Sequence, residues 1–333
     1  MEPLILGIET SCDETALALY SNKGLIENLV YSQSEHQAYG GVVPELAARE
    51  HLEKLPRLFK QLLQSANIQP KSITHIAVTC GPGLIGALLV GHNFAQGLAQ
   101  ALNIPLIPIH HLEAHIAAAF INTTFEPEPF LTLLVSGGHT QILLTNGIGN
   151  YQLLGQTLDD AAGEAFDKTA KVMGLGYPGG PKIEQKAQDA TQPVALPKAL
   201  KLRKDAMMSF SGIKTAARQH YLEHQKQPLV VENIAQGLQA CIAEQLTRKV
   251  NTAIKTTGVK KLVVSGGVSA NQFIRSYLEK HSLTETVLFP DLKYCTDNAA
   301  MVAYLGYLRR FDDIHFEIRA RWPIEELNPP KNL

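Results

Sequence analysis

The sequence has little cysteine, no excess of charge of either sign and no long apolar run. Of its 333 residues four are cysteines. Cys12, Cys80, Cys241 and Cys295 lie far apart and form no C-x-x-C pair, which excludes a disulfide scaffold and fits a reducing compartment. No uncharged apolar run approaches the roughly 20 residues of a membrane-spanning helix. The first residues lack the basic start and long apolar core of a signal peptide. Lys plus Arg number 30 and Asp plus Glu 31, for a formal net charge of -1. That balance excludes a histone-like basic protein, though not a local basic patch. Together these absences predict a soluble cytoplasmic protein. What is present is globular: 45% of residues are apolar and 18% charged, which rules out a largely disordered chain. At roughly 150 residues per domain, the length suggests about two domains.

Strand-like runs open the chain at Leu4–Glu9, Thr15–Tyr20 and Leu25–Ser32, with Asn22-Lys23-Gly24 as a hairpin turn. Helical spacing follows from Glu45 to Gln64, with Leu46, Leu52, Leu55, Leu58, Phe59 and Leu62 on one side. Ile73–Thr79 is a β-rich run, a helix-like segment reaches to Leu102, and Leu106–Ile109 leads into His110. The opening pattern then recurs. Phe130–Val135 and Thr140–Thr145 flank the turn Ser136-Gly137-Gly138-His139, which predicts two related halves, each beginning with a hairpin. The chain reads mostly helical between about Asp160 and Lys255. A strand at Lys261–Val264, a helix from Ala270 and a closing helix over Asn298–Arg310 follow. Alternating strands and helices define an α/β class. The division expected is 1–128 for the first half, 129–311 for the second with a helical insertion, and 312–333 for a loosely packed tail.

Three glycine turns follow strand-like runs: Gly81-Pro82-Gly83, Ser136-Gly137-Gly138 and Ser265-Gly266-Gly267. Glycine lets backbone approach a ligand, and successive N–H groups can form an anion nest. None of the three is a Walker A loop or a G-x-G-x-x-G fingerprint. His111 and His115 lie four apart, so on a helix they share a face and can chelate one metal. Position 112 is Leu, not the Glu of the zincin pattern H-E-x-x-H. Asp297 is a candidate third ligand and equally a candidate helix cap. Two histidines and a carboxylate suit Fe(II) or Zn. Asp13 and Glu14 are candidate general acid/base groups in the first turn. Glu164, Asp167, Lys168 and Lys171 have the spacing of a solvated helix face. Between Lys198 and Arg218, six cations face only Asp205, a stretch that can meet a phosphate backbone.

Seven motifs occur in one order: Gly7-Ile-Glu-Thr-Ser-Cys-Asp-Glu-Thr-Ala16, His110-His-Leu-Glu-Ala-His115, Val135-Ser-Gly-Gly-His-Thr140, Gly163-Glu-Ala-Phe-Asp-Lys168, Tyr177-Pro-Gly-Gly-Pro181, Ser209-Phe-Ser-Gly212 and Val264-Ser-Gly-Gly-Val-Ser-Ala-Asn271. Over about residues 4 to 311 the chain resembles the tRNA N6-adenosine threonylcarbamoyltransferases, the TsaD family, once described as O-sialoglycoprotein endopeptidases. The resemblance implies the actin, Hsp70 and sugar-kinase (ASKHA) fold, with two related α/β halves around a nucleotide cleft. It implies transfer of a threonylcarbamoyl group from threonylcarbamoyl-AMP to N6 of adenosine 37, in tRNAs reading codons that begin with A. The implied metal ligands are His111, His115 and Asp297, holding one Fe(2+) per subunit, with Zn(2+) and Mg(2+) as alternatives. The implied substrate contacts are Leu134, Val135, Ser136, Gly137, Gly138, Asp167, Gly180, Glu184 and Asn271; at 184 many members carry Asp. Implied partners are a TsaB paralogue, the ATPase TsaE and a TsaC-type synthase that supplies the adenylate, with no membrane.

An adenine N6 amine is a poor nucleophile because its lone pair is delocalised. It needs an activated acyl donor, fixed geometry and a proton acceptor. A mixed anhydride supplies the activation, and Asp13 or Glu14 is the expected acceptor. Two rival readings make different demands. A sugar-kinase-like phosphotransferase needs the glycine turns but not the histidine pair, and a metallopeptidase needs Glu at 112.

Overall fold

The computed structural model describes residues 2–123, 128–312 and 317–331. In chain order the elements are β1 (Leu4–Glu9), β2 (Glu14–Ser21), β3 (Gly24–Ser32), α1 (Pro44–Ser65), β4 (His75–Gly81), α2 (Ile85–Leu102), β5 (Leu106–His110) and α3 (His111–Ala118). There follow β6 (Phe130–Val135), β7 (Thr140–Thr145), β8 (Tyr151–Gln156), α4 (Ala162–Val172), α5 (Gly179–Ala187), α6 (Ser211–His224), α7 (Val230–Thr257), β9 (Lys261–Ser265), α8 (Gln272–His281), β10 (Thr286–Leu288) and α9 (Ala299–Leu308). Among the described residues no helix is long and apolar enough to cross a membrane.

Two compact units emerge. The first comprises 1–127, 147–151 and 290–333; the second comprises 128–146 and 152–289. Each is built on a five-stranded sheet, in the order β3-β2-β1-β4-β5 and β10-β9-β6-β7-β8. Read from the other edge, the second order repeats the first: three consecutive strands, then two reached by crossovers. In the first sheet β1 pairs antiparallel with β2 and parallel with β4. In the second β6 pairs antiparallel with β7 and parallel with β9. The recurring hairpin of the sequence is thus a repeat of topology. The units are not contiguous halves, however. Residues 290–311, counted by order with the second half, pack in the first unit because α9 lies on β1.

Central strands β1 and β6 are apolar almost throughout, as strands covered on both faces must be. Gly7 permits the crossing of α9: a Cβ there would stand 2.5 Å from the Ala299 carbonyl oxygen. In α1 the buried side chains are Ala47, His51, Leu55 and Leu62. Leu52, expected on that face, is 67% exposed, and the buried position beside it belongs to a histidine.

In the second unit α7 is the central helix, and Ile234, Leu238, Ile242, Leu246 and Val250 along it enter one core. It also fixes the irregular stretch before α6. Arg248 donates to the Ala199 and Leu200 carbonyls at 2.8 and 2.9 Å, and buried Lys249 donates to those of Arg203 and Asp205 at 3.2 and 2.7 Å. The mostly helical reading of this region therefore holds for α4 to α7 but not for the segment between α5 and α6.

The tail is not loosely packed. Positions 313–316 and 332–333 of it lie outside the described residues. In the rest, Arg319 N–H donates to the Cys80 carbonyl at 2.9 Å, Gly83 N–H to that of Ala320 at 3.2 Å, and Ile324 is buried. The Arg309 guanidinium donates to the Asn328 carbonyl at 3.1 Å. Proline and charge made this stretch read as loose; backbone hydrogen bonding and one apolar anchor hold it down.

Candidate metal centre and substrate-binding turns

α3 begins directly at the end of β5, so its first residue is His111 and its second turn carries His115. His110 caps the helix, its ring accepting from Glu113 N–H at 3.4 Å. The His110 Nε2 donates to the Trp322 carbonyl at 3.0 Å, which ties the helix start to the tail. His111 and His115 share a face, their ring centroids 4.7 Å apart. Asp297, in the loop before α9, turns to the same place. Its Oδ1 lies 3.0 Å from His115 Nε2 and 3.6 Å from His111 Nε2. One ligand atom from each of the three residues lies within 4.8 Å of the others. Asn298 and not Asp297 caps α9, its side chain accepting from Met301 N–H at 3.1 Å, and the carboxylate of Asp297 faces the histidines.

The group fits a metal ion in donor set and in hydrogen bonding. His115 is buried, yet its Nδ1 has no hydrogen-bond partner, and its Nε2 faces only Asp297. Burial disfavours a charged His111, but the Glu9 and Asp297 carboxylates outweigh it and raise the imidazole to about 9. Glu9 moves the other way: burial pushes it up, and the cationic His111 beside it holds it below the usual carboxylate range.

Asp13 and Glu14 close the first turn, in the same unit. Asp13 and Glu14 are adjacent carboxyl groups, and each disfavours a second negative charge beside it. Burial, then the Asp297 and Asp13 carboxylates, raises Glu14 well above the ordinary range. The same causes keep the Cys12 thiol protonated. The turn is held from below by His51. Its Nε2 donates to the Cys12 carbonyl at 2.9 Å, so its Nδ1 accepts from Thr15 Oγ1 at 2.8 Å. Burial lowers the pKa of His51, keeping it neutral.

Glu113, beside the zincin position, is engaged away from the candidate metal ligands. It is fully buried and receives Arg309 through two hydrogen bonds, 2.6 and 2.8 Å, and the Tyr151 hydroxyl at 2.9 Å. With Leu112 at the zincin position and Glu113 committed elsewhere, the protease arrangement is missing.

The glycine turns differ in use. In Gly81-Pro82-Gly83 a Cβ on Gly81 would meet the Arg319 carbonyl oxygen at 2.0 Å and one on Gly83 the Ser11 carbonyl oxygen at 2.7 Å. That turn is filled by the chain itself. Gly137 and Gly138 are exposed, with nothing near either Cβ position. The turn is shaped by Ser136, whose N–H donates to the His139 carbonyl at 2.8 Å, and it is joined to α4 by Gly163 N–H on the Ser136 carbonyl at 3.2 Å. Leu134 and Val135 are buried strand residues, so only their backbone can reach a ligand. At the third turn the buried hydroxyls of Ser265 and Ser269 have no partner.

Of the remaining candidates, Asp167 accepts from Gly179 N–H at 2.7 Å, next to Gly180, and Glu184 accepts from Gln272 N–H at 2.6 Å. Asn271 caps α8, accepting from Ile274 N–H at 2.9 Å. The candidates thus form two groups, one in each unit. Sequence reasoning passed over Glu9, His51 and Arg309. Glu9 stood inside a quoted motif, but nothing in its spacing marked it. In the basic stretch, Lys198 pairs with Glu244, Arg203 with Asp205 and Lys214 with Asp160. Among the described residues Lys201, Lys204 and Arg218 have no such acid.

Solved structures share this architecture. Component A of the (R)-2-hydroxyglutaryl-CoA dehydratase of Acidaminococcus fermentans superposes with a TM-score of 0.57 at 16% identity, over 92% of this chain and 98% of that one. Full-length HypF in its phosphate- and nucleotide-bound form gives 0.59 at 14% identity, over 93% of this chain and 47% of that one. The fold is therefore of the actin, Hsp70 and sugar-kinase class. Sequence narrows the class further. The TsaD family model, tRNA N6-adenosine threonylcarbamoyltransferase, matches residues 24–304. The enzyme of that name from Nitrosospira multiformis is 46% identical over 338 residues, covering 97% of each chain. That of Legionella pneumophila strain Corby is 48% identical over 331 residues, covering 96% of this chain and 99% of its own. The chain belongs to the tRNA N6-adenosine threonylcarbamoyltransferase family. It is a transferase that forms threonylcarbamoyladenosine in tRNA, and neither the phosphotransferase nor the peptidase reading is favoured.

Proposed function

We propose that this enzyme takes its acyl group from threonylcarbamoyl-AMP and places it on N6 of adenosine 37, in tRNAs reading codons that begin with A. The supporting observation is the convergence of His111, His115 and Asp297 in the unit that also carries Asp13 and Glu14. His111, His115 and Asp297 would hold one Fe(2+); the two imidazoles disfavour Mg(2+), which prefers oxygen, and leave Zn(2+) as the alternative. Bound there, a divalent ion supplies Lewis acidity toward the acyl donor. Glu14 is the proton acceptor: a carboxylate raised by burial and by neighbouring acids is a stronger base toward an amine proton than an ordinary one. Asp13, the acid beside it, keeps its affinity for a proton high. In the second unit the open backbone of Ser136, Gly137 and Gly138, with Leu134 and Val135 behind it, binds the adenylate. Asp167, Gly180, Glu184 and Asn271 complete that site.

The reaction belongs in the cytoplasm, with a TsaB paralogue, the ATPase TsaE and a TsaC-type synthase that makes the donor. The test is direct. The chain is incubated with those partners, tRNA, threonine, bicarbonate and ATP, and the nucleosides are analysed by mass spectrometry. Modified adenosine at position 37 is expected. Its absence with every component active removes the reading.

A further inference from the structure

We infer that Glu9 is a positioning residue for the metal: its carboxylate fixes the His111 ring so that Nε2 is presented to the ion. The inference rests on the metal reading above and adds a residue to it.

Glu9 is the last residue of β1 and fully buried. A buried carboxylate is costly unless its oxygens are satisfied, and these are. Oε1 accepts from Ser11 N–H at 2.5 Å. Oε2 accepts from Thr79 Oγ1 at 2.7 Å and from His111 Nδ1 at 3.1 Å. The donors come from the first turn, from β4 and from α3, so one side chain joins the elements around the site. Ile5, on the same face of β1 as Glu9, is buried and apolar. A side chain needed only for packing at position 9 would be apolar too.

The chemistry explains the exception. A carboxylate can only accept, so the proton of the His111 ring must sit on Nδ1, and the ligand lone pair falls on Nε2. That nitrogen is the one on the Asp297 side, 3.6 Å from Oδ1. Ser11 Oγ, 3.1 Å from the same Nδ1, is a second acceptor. His115 has no counterpart: its Nδ1 is unpartnered. The two histidines are therefore not equivalent, and His111 is the anchored one. Charge agrees with geometry. Two neutral imidazoles and one carboxylate leave a divalent ion with one unit of positive charge, and Glu9 behind His111 supplies the balancing negative charge. A carboxylate behind a metal-bound histidine commonly tunes affinity by 10- to 100-fold.

The test uses Zn(II) as a redox-inert probe on the full-length chain, with affinity read by competition against a chromophoric chelator. The unsubstituted chain is expected to bind one Zn(II), and His111→Ala none. Glu9→Gln, which keeps the shape and removes the charge, is expected to bind one Zn(II) about 10- to 100-fold more weakly. Selective 15N labelling of histidine in the unsubstituted, Zn(II)-loaded chain gives a readout that survives misfolding of the variant. It should show His111 protonated at Nδ1 and coordinated through Nε2. Wild-type affinity in a folded Glu9→Gln, or coordination through Nδ1, overturns the role of Glu9 and leaves the metal site standing. A wild-type chain without Zn(II), or His111→Ala binding as tightly, overturns both.

Discussion

Glu14 and His51 both depart from ordinary titration, with separate consequences. If Glu14 receives the N6 proton with Asp13 raising its basicity, Glu14→Ala and Asp13→Ala should still bind the adenylate but transfer it 10²- to 10⁴-fold more slowly, the usual worth of a positioned base. Normal single-turnover transfer in both variants would remove this role. His51 acts through stability. Its folded form resists protonation, whereas in the unfolded chain the ring takes a proton near the ordinary pKa of 6.5. Above that pH both states are neutral and the contribution is complete. Below it the unfolded state binds the extra proton, so stability falls as pH falls, by up to about 1.4 kcal/mol per pH unit for one proton. Urea melts of the wild type should weaken from pH 7 to pH 5, and those of His51→Gln should weaken less. Parallel slopes would show that His51 is not the group responsible.

Between elements, the helices that carry ligands are fixed by contacts remote from the ligands in sequence. Arg309 of α9 reaches Glu113 of α3, a buried pair 196 positions apart. Arg309→Met strands the Glu113 carboxylate and should cost about 3–5 kcal/mol; Glu113→Gln combined with Arg309→Met should recover part of that, as a thermal double-mutant cycle will show. Gly7→Ala pushes a methyl into the α9 backbone and should cost about 1–3 kcal/mol. Because Asp297 leads into α9, the same substitution should weaken Zn(II) binding. A variant with normal melting and normal affinity would mean that α9 moves freely over β1. This scale also divides what the sequence told from what it did not. The strands were legible, since short apolar runs between polar turns leave little choice, and the i,i+4 histidines announced their shared face. Glu9, His51 and Arg309 were not legible. Their partners lie far along the chain, and a buried charge has no local pattern to mark it. Asp297 and Asn298 show the same limit: either type can cap a helix, and only the backbone angle at Asn298 assigns that duty to it.

At the scale of the molecule, one strand order occurs twice, and each time the turn after the first strand holds candidate site residues: 10–13 in one unit, 136–139 in the other. The turn after the parallel neighbour strand differs between units. At Gly81-Pro82-Gly83 it is packed under the tail, whereas at Ser265-Gly266-Gly267 two buried hydroxyls stay unpartnered. The tail therefore belongs to the stability of the first unit. A chain lacking 317–331 uncovers Ile324, about 1.5–3 kcal/mol of apolar burial, and frees His110 from Trp322. It should melt lower and bind Zn(II) more weakly, and unchanged melting would make the tail dispensable.

The first unit begins and ends outside the second, so His111, His115 and Asp297 are made at very different times. His115 and Asp297 are separated by 182 positions. At roughly 5–20 residues per second on the ribosome, about 10–40 seconds pass between synthesis of the histidines and of the carboxylate. Within that interval the second unit is complete, while the first has two of the three candidate ligands and lacks the helix that follows the third. If the three hold a metal as proposed, its uptake would wait for Asp297, and a product ending before residue 297 should not retain the ion.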